Sequence, residues 1–565
     1  MKHAAAMSVD VTADATRDHA APALDRGESP PPSMSLSEGR RNRLLRRVDW
    51  RFLLPNPHPS RAVCLSSGLL AEAVGLTAEH MVEPAAARGC DLAVAVDPDA
   101  KTLDAAVAAL RPGGACYTEW YSPLSGGLTR IRRRLRQAGL TDVTFYWAWP
   151  PPARGTAAFW LPIESPAAVR YFLAGRPTPR TATARALAHA QRFLWRAGWA
   201  AGRLLPICAV ARKPLSGEGD AAPGGSAGAA DLWAFVRDGW TDWGLGPPPN
   251  QLSWLLLTPG LRSINKPVAL VFADAAEPGI AIKMARVPEA APSLARERAV
   301  LTGLQTMQPP GLPGVPRVVF YTVASKSAVL GETIIDGTPI FTQLRPDNYH
   351  AIAAQATDWL AGLAGRPVPA ARHTWWERLI LPVLDRFQAA FGAVVDAALI
   401  EQTRSHLAAL AALPLTCEQR DFSPWNVLLG PDGRLAVLDW ESAEVSGLPA
   451  LDLLYFLTYL AFYRDGAMAS GHFKASYAAS LNPSTPTGAV RSACLARYCS
   501  HVGLEPAALE ALRPFVWLVH AEAEYSRFVA DHGGTPPLET LRSSLFVALW
   551  EMECAAIGQG THIHA

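Results

Sequence analysis

Three side chains that could bind a cation or act as a base, Asp421, Asn426 and Asp439, occur between Cys417 and Glu441, in the stretch CEQRDFSPWNVLLGPDGRLAVLDWE. Asp421 and Asn426 fall in a predicted loop, and Asp439 follows the second of two apolar runs that flank a Pro-Asp-Gly turn. That pattern predicts a β-hairpin. Neighbouring strands lie about 5 Å apart, so Asn426 and Asp439 at the open end of the hairpin can share one hard cation. Asp421 would then face whatever that cation holds, which is the layout of a phosphoryl-transfer site.

This stretch resembles the aminoglycoside phosphotransferase/choline kinase-like family, whose members are related to the protein kinases. The family pattern is H-x-D-x-x-x-x-N, followed by a strand that ends in Asp, often as DFSPWN and LDWE. Asp421, Asn426, Asp439 and Glu441 match the pattern in register, whereas Gln419 stands where the family usually has His. The resemblance implies that Asn426 and Asp439 hold Mg²⁺ and that Asp421 is the catalytic base.

The same resemblance assigns supporting roles around Asp421. Arg420 is expected beside Asp421, where it would keep the carboxylate ionised, and Gln419 would replace the family His as a hydrogen-bonding brace. Further along, the segment GLPALD resembles the family's G-x-P-x-x-D-L segment. Asp452 of this segment would cap a helix and brace the catalytic loop, which is a structural role.

An upstream strand supplies candidate nucleotide ligands. The run from Ile280 to Lys283 resembles the V-A-I-K strand of the kinase superfamily. Lys283 would reach the α- and β-phosphates of ATP, and Glu297, on a predicted helix, would pair with Lys283. Taken alone, Lys283 is interpreted as a surface lysine and Glu297 as an acid that favours the helix start. Their order before the catalytic hairpin favours the nucleotide-binding interpretation.

The loop from Thr258 to Asn265 departs from the family pattern, because it lacks the G-x-G-x-x-G sequence. Ser263 and Asn265 are the residues that we expect to contact phosphate in its place. A strand from Val329 to Ile335, followed by Asp-Gly, resembles the family's strand and hinge. The resemblance implies that backbone groups there bind adenine.

Residues 43–213 alternate strand-like and helical segments, which predicts an α/β domain. The segment LRPGGACYTEW…LRQAGLTDVTFYW resembles the second half of a class I S-adenosylmethionine-dependent methyltransferase. The first half does not match: no glycine-rich loop follows the first strand, and only 28 residues separate Val63 from Asp91. We therefore predict a truncated, Rossmann-like, degenerate domain that serves as a scaffold or an acceptor-binding surface.

Composition limits the remaining function classes. With 565 residues the chain is too long for one typical core, and a net charge of +2 gives no electrostatic reason to expect nucleic acid as a partner. No apolar run is long enough to span a membrane, and no secretory signal is evident. Eight cysteines without a CxxC pair suit reduced thiols. We predict a cytoplasmic protein whose protein partners the sequence does not identify.

The predicted organisation is an α/β domain followed by an α+β bilobal kinase-like domain. In order, we expect a disordered tail (1–42), the methyltransferase-like domain (43–213), a flexible linker (214–230), a small lobe (231–340), a helical lobe (341–557) and a second tail (558–565). The basic cluster from Arg40 to Arg47 either touches an anionic surface or begins a solvated helix, and we favour the solvated helix.

These residues leave three functions open. The first is an ATP- and Mg²⁺-dependent kinase that phosphorylates a hydroxyl of a sugar, amino alcohol or related small molecule, with the nucleotide between the two lobes. The second is a pseudokinase scaffold of a biosynthetic pathway, such as that of a glycan. The third is a methyltransferase with an accessory kinase-like module. The joint presence of Lys283, Glu297, Asp421, Asn426 and Asp439 favours the first.

Overall fold

The computed structural model describes residues 37–121, 127–153, 155–174, 206–215, 231–260, 262–273, 275–307, 313–324 and 327–558. The two predicted tails up to residue 36 and beyond residue 558, and the predicted linker from residue 216, lie outside the described residues. The chain forms two compact units. Of the described residues, 40–295 and 317–334 belong to the first unit, and 37–39, 296–316 and 335–558 belong to the second.

The first unit is built on one sheet, which has twelve strands in the described part of the chain. Its spatial order is β11-β12-β10-β9-β8-β6-β5-β7-β4-β3-β1-β2. The strands from β2 to β4 are parallel, and all other neighbours are antiparallel. The bounds are β1 (Arg61–Cys64), β2 (His80–Met81), β3 (Cys90–Val96), β4 (Leu110–Trp120), β5 (Thr141–Trp149), β6 (Phe159–Pro162), β7 (Ile207–Arg212), β8 (Ser253–Leu257), β9 (Val268–Phe272), β10 (Ile280–Met284), β11 (Val318–Ala324) and β12 (Ser327–Thr333).

The helices of the first unit are α1 (Glu38–Arg47), α2 (Leu69–Thr77), α3 (Ala100–Ala109), α4 (Gly127–Gln137), α5 (Pro166–Ala174), α6 (Leu232–Gly239) and α7 (Ala291–Met307). In sequence, helix α1 precedes β1, and the other described helices of this unit lie between strands. Helix α1 begins at residue 38, inside the range predicted to be a tail, and helix α7 continues into the second unit from residue 296. Short 3₁₀ helices occur at Asp49–Leu53, Pro84–Ala86 and Pro288–Ala290.

The sheet continues across the predicted domain boundary at residues 214–230. Strand β6 precedes that boundary and β8 follows it, yet Phe159 pairs with Leu257 and Trp160 with Leu256 in an antiparallel ladder. The strands predicted for the α/β domain and those predicted for the small lobe therefore belong to one compact unit.

Both faces of this sheet are covered. The five residues of β9, VALVF, are all buried, and one core cluster takes Ala269 and Val271 while another takes Leu270 and Phe272. A strand that is buried on both faces is a continuous apolar run, because neither side of its pleat meets water. This explains why the central strands do not alternate between apolar and polar residues.

Helix α1 packs into the first unit at its C-terminal end. Arg46 and Arg47 are only 4% and 6% exposed. Arg47 forms a two-point ion pair with the buried Glu119 on β4, with both N–O distances at 2.7 Å. The solvated-helix interpretation of the basic cluster is therefore wrong for these two arginines. It describes the start of the helix, where Arg40 pairs with Glu72 at the surface.

The second unit is mostly helical, with three small sheets. Its described strands are β13 (Thr338–Pro339), β14 (Pro369–Ala371), β15 (Ala412–Pro414), β16 (Thr416–Glu418), β17 (Val427–Leu429), β18 (Leu435–Val437) and β19 (Glu444–Gly447). The sheets have the orders β13-β17-β18, β14-β15 and β16-β19.

Helices form the bulk of this second unit. They are α8 (Ile340–Gln343), α9 (Tyr349–Ala364), α10 (Leu381–Phe391), α11 (Ala397–Ala408), α12 (Leu451–Arg464), α13 (Ala467–Ser470), α14 (Phe473–Leu481), α15 (Pro486–Val502), α16 (Pro506–His532), α17 (Leu538–Arg542) and α18 (Leu545–Gly558), with a 3₁₀ helix at Arg372–Thr374 and a π-helix at Trp376–Ile380. Helix α12 is buried along its first twelve residues and is therefore a core helix. A helix with the length and apolarity to cross a membrane does not occur among the described residues.

Candidate active site

The hairpin of β17 and β18 carries the candidate metal ligands at its open end. Val427 pairs with Val437 at that end of the ladder. One step further out, the Leu438 N–H donates to the carbonyl oxygen of Asn426 at 3.0 Å. Asn426 thus lies opposite Leu438, and Asp439 is the next residue along the chain. The pairing brings the two residues to the same end of the hairpin.

Asp421 is held by two neighbours in the loop between β16 and β17. The Asn426 side-chain amide donates to Asp421 Oδ2 at 2.7 Å and to the Asp421 carbonyl oxygen at 3.1 Å. The Asp421 N–H in turn donates to Gln419 Oε1 at 2.8 Å. Both the peptide and the carboxylate of Asp421 are therefore fixed, which is what a positioned general base requires.

Gln419 joins the loop to the hairpin. Its side chain is fully buried, and its Nε2 donates to the carbonyl oxygens of Leu438 at 3.0 Å and of Asp439 at 2.5 Å. With the bond from the Asp421 N–H, one amide side chain connects the candidate base to the backbone of the candidate metal ligand. A glutamine can make these contacts because its amide donates twice and its oxygen accepts.

Asp452 contacts the backbone of the same loop. Its carboxylate accepts the N–H of Gln419 at 2.6 Å and the N–H of Arg420 at 2.8 Å. The N-cap of helix α12 is Ala450, which makes no side-chain capping bond, so the prediction that Asp452 caps this helix is wrong, whereas its contact with the loop is observed. Burial and the neighbouring Glu418 raise the pKa of Asp452 to about 7, while the two N–H donors act in the opposite direction.

Arg420 is directed towards Glu418. Its Nε lies 3.3 Å from Glu418 Oε2, which also accepts the N–H of Leu448 at 3.2 Å. Burial raises the pKa of Glu418, and the charge of Arg420 lowers it. Both Arg420 and Asp439 have left-handed backbones, with φ values of 69° and 62°. Such strain in residues other than glycine is typical of functional sites. The catalytic role of Arg420 stays a prediction.

Glu297 supports the peptide next to Asp439. Its side chain is 1% exposed, and its Oε1 accepts the N–H of Trp440 at 3.0 Å. The sequence assigns Glu297 a different partner, Lys283, which belongs to the first unit. That pair stays a prediction. The bond to Trp440 joins residues 143 positions apart, and no sequence pattern indicates it.

Two oxygen-bearing side chains at the open end of the hairpin could bind a metal ion. Within the described residues, the Asp439 carboxylate and Asn426 Oδ1 make no hydrogen bond or ion pair, although Asn426 is 6% exposed. A carboxylate and an amide oxygen are a donor set that suits Mg²⁺, which takes further oxygens from phosphates and water. A cluster of three or more His, Cys, Asp or Glu side chains that could hold a metal is absent from the described residues.

Residues 274–486 match the phosphotransferase enzyme family. The C-terminal region therefore carries a phosphotransferase-family domain. The matched range contains Lys283, Glu297 and the whole hairpin, and it leaves residues 43–213 outside. The resemblance of those residues to methyltransferases thus stays a prediction. A comparison with curated proteins found no match.

Solved aminoglycoside phosphotransferases align with this chain at low identity. The ADP-bound APH(2'')-Ib shares 12% identity, covers 57% of this chain and 96% of its own, and gives a TM-score of 0.33. APH(4)-Ia shares 14% identity with coverages of 59% and 98% and a TM-score of 0.35. APH(3'')-Id from Streptomyces rimosus shares 15% identity with coverages of 55% and 98% and a TM-score of 0.30. These similarities identify no acceptor.

Aromatic side chains of the second unit form a cluster with Trp425, which lies in the loop between β16 and β17. Trp425 packs edge-on against Tyr459 at 5.0 Å between ring centroids, and Tyr455 stacks on His520 at 3.7 Å. Burial raises the pKa of Tyr455 and Tyr459, and the charge of Asp421 adds to that rise. Since the Asp421 charge acts on both tyrosines, this aromatic cluster lies near the candidate base.

The candidate phosphate-binding residues of the first unit form contacts within the protein. Lys283 lies 3.2 Å from Glu332 on the neighbouring strand β12. Ser263 is 3% exposed, and its N–H donates to Asn42 Oδ1 at 2.7 Å. Asn265 Oδ1 accepts the N–H of Arg262 at 2.8 Å. The loop therefore forms a hydrogen bond within itself and another to helix α1. Phosphate contact by Ser263 and Asn265 stays a prediction.

Proposed function

We propose that the phosphotransferase domain transfers the γ-phosphoryl group of Mg·ATP to a hydroxyl of a small molecule such as a sugar or amino alcohol. One observation supports this proposal most. At the open end of the hairpin, the Asp439 carboxylate and Asn426 Oδ1 have no partner in the described part of the chain, while Asp421 beside them is held in place. A site that leaves hard oxygen donors unpaired next to a fixed base suits metal-assisted phosphoryl transfer.

The proposed chemistry depends mainly on position and charge. Magnesium, held by Asn426 and Asp439, would offset the charge of the phosphate oxygens as the γ-phosphoryl group departs. Asp421 accepts the proton of the acceptor hydroxyl, and its bond from Asn426 keeps the carboxylate oriented. Lys283, supported by Glu332, binds the α- and β-phosphates. The transition state needs little covalent help, so this positioning accounts for the catalysis.

A scaffold without kinase activity is the second candidate. The N–H of Ser263 and the side chain of Asn265 are occupied within the protein, and Gln419 replaces the family His. These departures favour a domain that has kept the architecture and lost turnover. A methyltransferase activity of residues 43–213 is the third candidate, and saturable binding of S-adenosylmethionine would support it.

We propose a cytoplasmic location for the protein. All eight cysteines are free thiols. Thiols of this kind persist in reducing compartments, where ATP is also available. A small-molecule acceptor is the partner that the proposed reaction requires.

The test compares the wild type with Asp421→Asn and Asp439→Ala. We expect Asp439→Ala to lose Mg²⁺-dependent ATP binding because it removes a metal ligand. We expect Asp421→Asn to retain binding and to lose turnover by about 100-fold or more, because it removes the base. Binding is measured by calorimetry, and turnover by ADP release with a panel of hydroxyl acceptors.

Asp432→Ala is the matched control for this test. Asp432 is an exposed acid in the turn of the same hairpin, at the opposite end from Asp439. We expect Asp432→Ala to bind and turn over ATP like the wild type. If the wild type binds Mg·ATP but phosphorylates no acceptor and releases no ADP, the scaffold candidate replaces the kinase.

A further inference from the structure

The indole N–H of Trp425 is unused within the protein, although this residue lies next to the candidate base. Trp425 is half-buried and precedes Asn426, whose side chain donates to Asp421 Oδ2 at 2.7 Å. In the part of the chain that the structure describes, the Trp425 N–H donates to no protein atom. Four other tryptophans of the second unit donate their N–H groups to protein oxygens: Trp375, Trp440, Trp517 and Trp550. Trp425 therefore keeps a donor for a ligand.

Two tyrosines of helix α12 hold the Trp425 ring. Tyr455 and Tyr459 are 5% and 9% exposed, and their rings meet the indole at 84° and 90° with centroid distances of 6.5 and 5.0 Å. Contacts between perpendicular rings fix their mutual orientation. Among the described residues no aromatic ring stacks flat on Trp425. Its flat face is thus fixed in position and can stack on a ligand ring.

Helix α16 presents different residues to its two neighbouring helices. Glu522 pairs with Arg386 of α10 at 2.6 Å, and Tyr525 packs on Phe391 of the same helix. His520 lies on another side of α16 and stacks on Tyr455 of α12 at 3.7 Å. Glu522 and Tyr525 therefore face away from the aromatic cluster.

The side of α16 that contacts α12 continues from His520 through Glu524 to Arg527. Residues that are three or four positions apart lie on the same side of a helix. Burial raises the pKa of Tyr455 and Tyr459, and the charge of Arg527 lowers it in both. Arg527 is therefore near the two tyrosines that hold Trp425.

Arg527 carries the unpaired charge on this side of α16. Its guanidinium is exposed and makes no hydrogen bond or ion pair within the described residues. Glu524 is directed at Ser544, whose hydroxyl donates to Glu524 Oε2. Burial lowers the pKa of His520 to about 3, so this ring is uncharged at neutral pH. A ligand beside the cluster would meet one unpaired positive charge.

A sugar ring suits these features. The C–H groups on one side of a sugar ring pack on an indole, because the face of an aromatic ring is electron-rich. The sugar hydroxyls can accept the indole N–H. An aromatic face also attracts an ammonium group, but the charge of Arg527 opposes a cationic ligand and favours an acidic one.

We propose that the acceptor of the phosphoryl group is a neutral or acidic sugar, whose ring stacks on Trp425 and whose charge is selected by Arg527. This assignment rests on the proposed function and narrows its acceptor class. The sugar hydroxyl attacks the γ-phosphorus of ATP, the bond to ADP breaks, and the hydroxyl proton passes to Asp421. Trp425 binds the substrate, and Arg527 determines specificity.

The first test measures ADP release with sugars that share a ring and differ in charge. Hexoses, hexuronates and 2-amino hexoses of gluco, galacto and manno configuration are neutral, negative and positive, and choline is a second cationic probe. We expect kcat/KM for the best neutral or acidic sugar to exceed that for the best amine by about tenfold or more. A higher kcat/KM for an amine, or no phosphorylation of any sugar, would overturn the proposal.

Arg527→Gln tests the selection of charge. Arg527 is exposed, so its replacement should leave the fold intact. We expect the ratio of kcat/KM for the hexuronate to that for the amino hexose to fall about fivefold, because the charge of an exposed side chain acts weakly. Arg527→Lys keeps the charge and should keep the ratio. An unchanged ratio in Arg527→Gln would contradict the role of Arg527.

Trp425→Ala tests the stacking surface. We expect KM for the sugar to rise about tenfold with kcat little changed, and Trp425→Phe, which keeps a ring, to raise KM only about threefold. Trp376→Ala is the matched control, because Trp376 is a half-buried tryptophan of the same unit that packs against Trp375 and Arg372 instead. Its KM should equal that of the wild type. Equal rises in Trp376→Ala and Trp425→Ala would contradict a stacking role.

Binding of Mg·ATP separates a wrong acceptor from a wrong function. If the full chain binds Mg·ATP and phosphorylates only amines, the sugar assignment is wrong and the proposed kinase activity stands. If the wild type does not bind Mg·ATP, the proposed function itself is wrong. Calorimetry with Mg·ATP also shows whether each variant is folded. If Trp425→Ala fails to fold, Trp425→Phe and Arg527→Gln decide the outcome.

Discussion

Gln419 stands where the resembled family usually has His, and it joins the loop around Asp421 to the hairpin. The family His at this position has two ring nitrogens, whereas the Gln419 amide donates to two carbonyl oxygens and accepts the Asp421 N–H. These three bonds join residues of the loop to Leu438 and Asp439 of the hairpin. The departure from the family pattern is therefore accompanied by a complete set of hydrogen bonds rather than by a gap.

Removal of the Gln419 amide tests this brace. Gln419→Leu keeps the volume and leaves buried carbonyl oxygens and one N–H unpaired, so we expect a loss of roughly 3 kcal/mol in the free energy of unfolding. Urea denaturation measures the loss. Gln419→His is the matched control, since a ring with one donor and one acceptor retains part of the set, and it should lose less. Equal losses of unfolding free energy in both variants would contradict the bracing role of the Gln419 amide.

At the residue scale, the sequence predicted the candidate site residues that lie close together in the chain. It missed the contacts between residues that are far apart in the chain. Asp421, Asn426 and Asp439 fall within one motif, and hairpin pairing brings Asn426 and Asp439 to the same end. The bond from Trp440 to Glu297 and the pair between Asp49 and Arg286 join residues separated by 143 and 237 positions. No spacing rule reaches that far, because such contacts arise only when the chain folds.

At the element scale, helix α12 and the catalytic loop form one assembly through Asp452. Two loop N–H groups point at its carboxylate, so the start of a core helix determines the position of the loop. The sequence located the hairpin strands at nearly their observed bounds, since two apolar runs flank a clear turn. In the first unit it missed β2, β6, β7 and β11, and only β2 and β6, with two and four residues, are too short to carry periodicity.

The pH dependence of stability tests the burial of Asp452. Its pKa is about 7 in the folded protein and about 4 in an unfolded chain. Between these values the folded protein holds a proton that the unfolded chain releases, so the stabilisation is complete below pH 4 and is lost as the pH rises through 7. Asp452→Asn lacks this titration.

Urea denaturation at several pH values measures this effect. We expect the stability of the wild type relative to Asp452→Asn to fall as the pH rises from about 4 to about 7 and to level off above that. A constant difference across this range would show that the Asp452 pKa is not raised by burial.

At the scale of the whole molecule, the continuous sheet joins regions that the sequence separates. The Gly- and Ala-rich segment at residues 214–230 marks a change in composition, and it predicts a boundary between independent domains. Strand pairing between β6 and β8 crosses that boundary. A change in composition along the sequence does not exclude pairing between the strands on its two sides, because the partner of a strand cannot be predicted from a local sequence pattern.

Truncation tests whether residues 231–565 need the strands and side chains of the N-terminal region in order to fold. A chain shortened to residues 231–565 loses β6 as the partner of β8 and Asp49 as the partner of Arg286. We expect it to aggregate or to lack a cooperative thermal transition, because it exposes an apolar strand edge and leaves a buried guanidinium unpaired. Circular dichroism and size-exclusion chromatography measure the outcome. A monomer that melts cooperatively and binds Mg·ATP would show that the phosphotransferase domain folds alone.

The most direct test of the central claim is the magnesium dependence of nucleotide binding at the open end of the hairpin. Calorimetry titrates ATP into the wild type and into Asp439→Ala, once with Mg²⁺ and once with a chelator. We predict that Mg²⁺ strengthens ATP binding by about tenfold or more in the wild type and has no effect in Asp439→Ala. Equal Mg²⁺ dependence in both proteins, or no ATP binding by the wild type, would contradict the account.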